Sequence, residues 1–138
     1  MRYYAVLDTN VLVSALIRWK SLPGAVAMES LIGRITPLLN EEIVAEYREV
    51  LHRPKLRFPG EAVDAFINGM IKRGVFVDAD PLEEYLPDPK DAVFYEVVME
   101  ARKSDDAYLV TDNVKHFPVK SFVVTPREMM EILDSDEV

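Results

Sequence analysis

Asp8, Thr9 and Asn10 stand between two apolar runs, YYAVL before them and VLVSAL after them. An acid and an amide at such a seam either turn and cap the chain, a common role for Asp, or belong to a site. Glu46 raises a similar question within NEEIVAEYREVLHR (40–53). The apolar stripe there is Ile43, Tyr47, Val50 and Leu51, and Glu42 and Glu49 fall on the opposite, polar side. Glu46 falls on the shoulder of the apolar face. A carboxylate there either reaches water at the edge or is compensated by something, because burying it bare is costly. Asp88 and Asp91 bracket DPKD. Asp91 sits where a helix N-cap would, with its carboxylate at the positive end of the helix dipole, and Asp88 reads as a loop residue. Thr111, Asp112 and Asn113 follow the apolar YLV. They serve as turn chemistry or as a second ligand edge, and the sequence leaves open which of Asp112 and Asn113 points inward.

If these acids converge, electrostatics constrains what they do. Two carboxylates about 5 Å apart repel by roughly 3 kcal/mol at an effective dielectric near 20. Protons relieve such a cluster, or a divalent cation does. An all-oxygen ligand set without Cys or clustered His selects Mg²⁺ or Mn²⁺ over Zn²⁺. Such ions activate water and clamp phosphoryl oxygens. The implied chemistry is metal-assisted cleavage or transfer at a phosphate ester.

The elements that must bring these residues together follow from pattern. Arg2 to Leu7 reads as a short buried strand and Val11 to Trp19 as a buried helix. Pro23 opens a second helix towards Ile32, and Gly33 stops it. Ile35 to Leu39 is a second strand, and Asn40 caps a helix over Glu41 to His52 that ends before Pro54. After a Pro59-Gly60 turn, Glu61 to Arg73 is helical, with Gly74 as its stop and Val75 to Val77 as a third strand. DPLEEYLPDPK (80–90) carries three prolines and reads as loop. AVFYEVVMEARK follows as a helix, Tyr108 to Thr111 and Phe122 to Val124 as the fourth and fifth strands, and TPRE (125–128) as a capping box. The acidic end DSDEV is expected to fray. Strands alternating with helices predict a three-layer α/β sandwich, a central parallel sheet of four to five strands with helices on both faces. Ligands in open sheets of this kind sit beyond the carboxyl ends of the strands. Asp8 lies just past the first strand, and Asp112 and Asn113 just past the fourth.

Composition sets outer bounds. A chain of 138 residues with 49% hydrophobic content predicts one domain over 1–138 with a substantial core. There is no cysteine, which excludes disulfides, thiolate metal sites and cysteine nucleophiles, and fits a reducing compartment. No signal-peptide order is present at the N-terminus, and the apolar runs are too short to span a bilayer. A cytoplasmic protein without membrane contact is expected. The net charge of −8 argues against simple electrostatic coating of nucleic acid, and leaves room for an enzyme that meets phosphates through bound cations.

These motifs together resemble those of PIN-domain nucleases. LDTNVLVSAL is similar to that family's opening motif, and an isolated Glu in the third helix, DPKDAVFYEVV and YLVTDNVKHFP follow in the family's order. The resemblance runs from about residue 3 to residue 127. It implies a PIN-like fold and Mg²⁺- or Mn²⁺-dependent endonuclease cleavage of RNA. Many small relatives are toxins neutralised by an antitoxin protein, and a homodimer is plausible by the same resemblance. Asp8 matches the family's first metal-binding acid, with Thr9 and Asn10 as its orienting companions. Glu46 matches the second acid and Asp91 the third, with Asp88 as an accessory. Thr111, Asp112 and Asn113 cover the fourth position, so the expected catalytic acids are Asp8, Glu46, Asp91 and Asp112. Asn113 stands where an Asp is common, and can ligate through its carbonyl but brings no charge.

Other readings compete. A degenerate PIN domain would bind RNA or protein and cleave nothing, and Asn113 is its best support. A phosphatase with an aspartyl nucleophile needs Asp-x-Asp after the first strand, and Asn10 takes the second place. Dinucleotide binding lacks its glycine-rich loop. His52 and His116, the only histidines, read as surface or helix-end groups. Arg53, Lys55, Lys115 and His116 supply local positive charge that could steer phosphates. Tyr3, Tyr4, Trp19 and Phe94 read as core.

Overall fold

The computed structural model describes residues 3–82 and 86–135. Five strands form one all-parallel sheet: β1 (Tyr3–Leu7), β2 (Ile35–Leu39), β3 (Val75–Phe76), β4 (Ala107–Val110) and β5 (Val123–Val124), in the order β3-β2-β1-β4-β5. Six α-helices cover it: α1 (Thr9–Ile17), α2 (Leu22–Ile32), α3 (Glu41–Leu51), α4 (Gly60–Arg73), α5 (Ala92–Ala101) and α6 (Pro126–Ser135). This is the expected three-layer α/β architecture. The chain moves from β1 to β2 to β3 in one direction, then crosses back to β4 on the far side of β1. Right-handed crossovers running in opposite directions put their helices on opposite faces. The two layers follow: α2 packs on α4 and α6, and α5 packs across β4, β1 and β2.

Central strands sandwiched this way are buried on both faces and read as apolar runs rather than alternations. β2 has no exposed residue, and in β1 only Tyr4 is even partly exposed. Register is fixed by Tyr3 opposite Ile35 and Leu7 opposite Val110. At the β3 edge the same side chains cannot be covered, and Val75 and Phe76 remain exposed. Gly74 enters that edge through a close approach. A Cβ there would lie 2.6 Å from the Leu39 Cδ1 and 2.9 Å from the Met70 carbonyl. Gly24 does the same for α2, where a Cβ would sit 1.8 Å from the Trp19 carbonyl and force the α1–α2 turn open.

Caps explain most boundaries. The Asn40 side chain accepts from the Ile43 N–H at 2.8 Å, starting α3 where the sequence puts it. Thr125 and Glu128 close the expected capping box at 3.1 and 2.9 Å. Some boundaries differ from expectation. α1 begins at Thr9, two residues before Val11, and ends at Ile17. α2 starts at Leu22 because Ser21 accepts from the Gly24 N–H at 3.1 Å. Gly60, expected in a turn, opens α4. Thr111 lies outside β4, with its side chain engaged at the site described below. Trp19 is 37% exposed and meets Phe66 edge-on at 6.3 Å, so it is not a core residue, whereas Tyr3 and Phe94 are. Asp134 and Ser135 extend α6 instead of fraying, and the rest of the acidic end, 136–138, lies outside the described residues.

Among the described residues no single helix is long and apolar enough to cross a membrane. α1 and α2 pass that test only as a pair bent by 105°. Val11, Leu12, Ala15, Val26 and Ala27 of that pair are fully buried in the core.

Candidate functional site

The strand order creates a switch point between β1 and β4, where successive connections leave in opposite directions. Open α/β sheets bind ligands in the crevice that forms there. One further backbone bond, from the Asp8 N–H to the Val110 carbonyl at 2.9 Å, ties the ends of β1 and β4 together there. Asp8 and the Thr111–Asn113 segment, 103 residues apart for the Asp8–Thr111 pair, therefore meet at the same edge.

Asp8 occupies the N-cap position of α1, yet its side chain makes no capping hydrogen bond. Its Oδ2 instead accepts from the Thr111 hydroxyl at 2.7 Å. Both residues are buried. Thr111 Oγ1 in turn accepts from the Asn113 N–H at 3.0 Å, which fixes the turn after β4. Burial pushes the Asp8 carboxyl above its ordinary value, against the lowering effect of the Thr111 bond and of the Asn10 and Thr9 amides. The Asp112 charge raises it further. The carboxylate thus stands at the N-cap position, under the influence of the first α1 amides, while its side-chain hydrogen bond runs across the sheet edge to Thr111.

Glu46 lies in the second turn of α3 and is partly buried. The Thr9 hydroxyl donates to its Oε2. Glu46 therefore points to the residue beside Asp8 and not outward to water, and the shoulder position read from the helix pattern is where it sits. Beside it, the Tyr47 hydroxyl donates to the Leu7 carbonyl at 2.5 Å. Burial holds the Tyr47 phenol protonated well above its usual range, with the Asp8 and Glu46 charges adding to the effect.

Asp91 ends a 3-10 turn, Pro89–Asp91, that leads into α5. Its expected side-chain cap is absent. Asp88 takes that role one turn earlier, accepting from the Lys90 N–H at 2.9 Å, so Asp88 is more than a loop residue. The freed Asp91 carboxylate is 16% exposed and lies 3.6 Å from His116 Nδ1. Its pKa is raised to about 6, first by burial, then by the charges of Asp8 and Asp88, with His116 opposing and Glu46 adding. Asp112 is exposed overall, and burial of its carboxyl raises its pKa against a hydrogen bond with Ser14. Asn113 is half-buried and contributes its backbone N–H, and Asn10 is exposed.

The basic residues divide. His116 stands at the acids. Lys115 is exposed one residue earlier and, with Lys120, lines a shallow cleft of about 330 Å³. Arg53 is held by both oxygens of Glu49 at 2.8 and 3.0 Å, and Lys55 is exposed on the turn Pro54–Leu56. His52 is helix-end chemistry, with Nδ1 at 2.7 Å from the Arg48 carbonyl and Nε2 at 2.9 Å from Asp64.

The site therefore offers Asp8, Glu46, Asp91 and Asp112, all hard oxygen donors, with Asp8, Asp88 and Glu46 close enough to act electrostatically on Asp91. Among the described residues no three His, Asp or Glu side chains stand close enough together to ligate one ion. The orientations of Asp8 and Glu46 are set by threonine hydroxyls, not by a common centre. In donor chemistry and charge the set fits a divalent ion. Ser14 and Tyr47 have roles the sequence did not reveal. Ser14 is the only polar side chain in VLVSALI, a signal that was present. Tyr47 continues an apolar stripe and gives no such signal.

A family model for the PIN domain matches residues 4–115. No curated protein matches the chain.

Proposed function

The chain belongs to the PIN-domain family, and from that premise we propose that it is a divalent-metal-dependent endoribonuclease. PIN domains are generally nucleases and usually use divalent ions. The observation that carries the reading is the pair of threonine bonds, Thr111 to Asp8 and Thr9 to Glu46, that gather two distant acids at the switch point beside Asp91.

In this reading Asp8, Glu46 and Asp91 would hold Mg²⁺ or Mn²⁺, with Asp112 or the Asn113 carbonyl as a further donor. The bound ion supplies an acidified water and neutralises charge on the phosphodiester oxygens. The remaining work falls to the chain. Thr111 holds Asp8 in one orientation and favours its ionised form. Thr9 keeps Glu46 turned inward. His116, 3.6 Å from Asp91, offers an imidazole nitrogen as a contact for a phosphate oxygen. Lys115 attracts the backbone of the RNA, which the net charge of −8 would otherwise repel. Residues that already carry acid chemistry thus need a cation before an anionic substrate can approach. By family likeness we further propose a toxin held in check by an antitoxin protein, and a cytoplasmic homodimer. Growth arrest on expression and the mass in solution test these two.

One observation favours a second reading, a PIN domain that binds RNA or protein without cutting. By family likeness Asn113 takes an acid's usual place, and among the described residues no three acids already share a centre. The deciding experiment incubates end-labelled single-stranded RNA with the protein in Mn²⁺, in Mg²⁺ and in EDTA, with single-stranded DNA alongside. Cleavage of RNA that needs metal supports the nuclease. Binding of RNA without cleavage in either metal favours the second reading.

A further inference from the structure

We infer that Tyr47 is a positioning residue of the site, the pillar that sets the spacing of Asp8, Glu46 and Asp91. Two contacts on different elements, and one adjacency along α3, carry this. The Tyr47 hydroxyl donates to the carbonyl of Leu7, the residue before Asp8, at 2.5 Å. Tyr47 is the next residue after Glu46 on α3, so anchoring its ring anchors the stretch of helix backbone from which Glu46 projects. Its ring packs against Phe94 at 6.4 Å, and Phe94 sits in the first turn of α5, just after Asp91. Tyr47 and Phe94 have no exposed surface.

Core packing alone does not account for the hydroxyl. Phe would fill the same space in a helix stripe of Ile43, Tyr47 and Leu51, all fully buried. A buried phenol tends to persist where its O–H finds a partner, and this one finds the end of β1. The bond is local to the seam. It ties α3 to the last residue of the strand that delivers Asp8, and holds Glu46 where the Thr9 hydroxyl meets it. Removing one oxygen atom should therefore leave the core filled and loosen the geometry of the acids. Groups that orient metal-binding residues typically change affinity or activity 10–100-fold when lost.

The inference rests on the proposed metal-assisted site, and its test separates the two. Tyr47→Phe and wild type are compared by thermal melting, by Mn²⁺ titration calorimetry without RNA, and by cleavage kinetics. The expected result is a folded variant whose Mn²⁺ affinity is about 10-fold weaker, with kcat reduced and KM for RNA little changed. A folded Tyr47→Phe that binds Mn²⁺ within twofold of wild type overturns the inference, whatever its stability. If Tyr47→Phe does not fold, Phe94→Leu loosens the same pillar from α5, and unchanged Mn²⁺ affinity there overturns it. If wild type takes up Mn²⁺ but cuts no RNA, the nuclease reading falls and the calorimetry still decides on Tyr47. If wild type binds no Mn²⁺, crystal structures of both proteins decide: loss of the Thr9–Glu46 bond in Tyr47→Phe supports the inference, and its retention overturns it.

Discussion

Asp91→Asn should stabilise the metal-free protein at neutral pH while destroying its proposed activity. Asp91 is crowded by Asp8, Asp88 and Glu46, and only His116 offsets them. Burial and this crowding raise its pKa from 3.8 to about 6. For a fully shielded carboxyl that rise is worth about 3 kcal/mol. Part of the group meets water, and screening reduces the figure to about 1.5 kcal/mol. The sign follows from linkage. The folded-state pKa lies above the unfolded one, so the native state binds the extra proton. Stability is then lost as pH rises from about 4 through 6, and the penalty is complete above that. Asn carries no charge and escapes the penalty. The variant should exceed wild type by about 1.5 kcal/mol at pH 8, a rise in Tm of about 5 °C, and the gap should close by pH 4. Urea unfolding in EDTA at pH 4, 6 and 8, for both proteins in the same salt, measures this. Added Mn²⁺ should reverse the order at pH 8, because a ligand at 100 times its Kd stabilises the form that binds it by about 2.7 kcal/mol. Equal stability of the two proteins at pH 8, or parallel pH profiles, would refute the reasoning. It would mean that Asp91 is solvated and not part of a crowded site.

Thr111→Val keeps the shape of the side chain and removes the hydrogen bond to Asp8. It should cost about 1–2 kcal/mol in urea unfolding at pH 7, and lower metal-dependent cleavage about 10–100-fold. Asn40→Ala removes the cap that begins the helix carrying Glu46. A loss of about 1 kcal/mol is expected, read from the shift in denaturation midpoint, and no loss would mean that the Ile43 N–H is satisfied by water.

Much of the fold could be read from the sequence because its signals are local. Asn40, Thr125 and Glu128 act within three residues of the amides they satisfy. The apolar runs of β1 and β2 follow directly from burial on two faces. α1 starts at Thr9, directly after Asp8 at the N-cap position, so the residue type at the seam marks the boundary better than the apolar run beginning at Val11. The Asp8 carboxylate, however, is claimed by Thr111, and no local rule sees a partner 103 residues on. At Asp91 the capping rule itself fails. Capping preference points to the acid nearest the apolar run, whereas the 3-10 turn Pro89–Asp91 moves the capping bond back to Asp88. In both places an acid is diverted to the sheet edge, and sequence logic tends to fail at such sites. Glu46 could be placed on the shoulder of its helix, but not given Thr9 as its partner. Tyr47 shows the limit most clearly, since period alone makes it an ordinary core residue and its hydroxyl matters only once Leu7 is beside it.

The most direct test of the central claim is single-turnover cleavage of end-labelled RNA in Mn²⁺ by wild type and Asp8→Asn, purified in parallel. Asn keeps the size of the side chain and an acceptor for Thr111, and removes the charge at the head of the site. The account predicts at least about a 100-fold loss of rate in the variant, with its fold retained. Cleavage by Asp8→Asn at the wild-type rate would contradict the claim that the acids at the β1–β4 switch point do the chemistry.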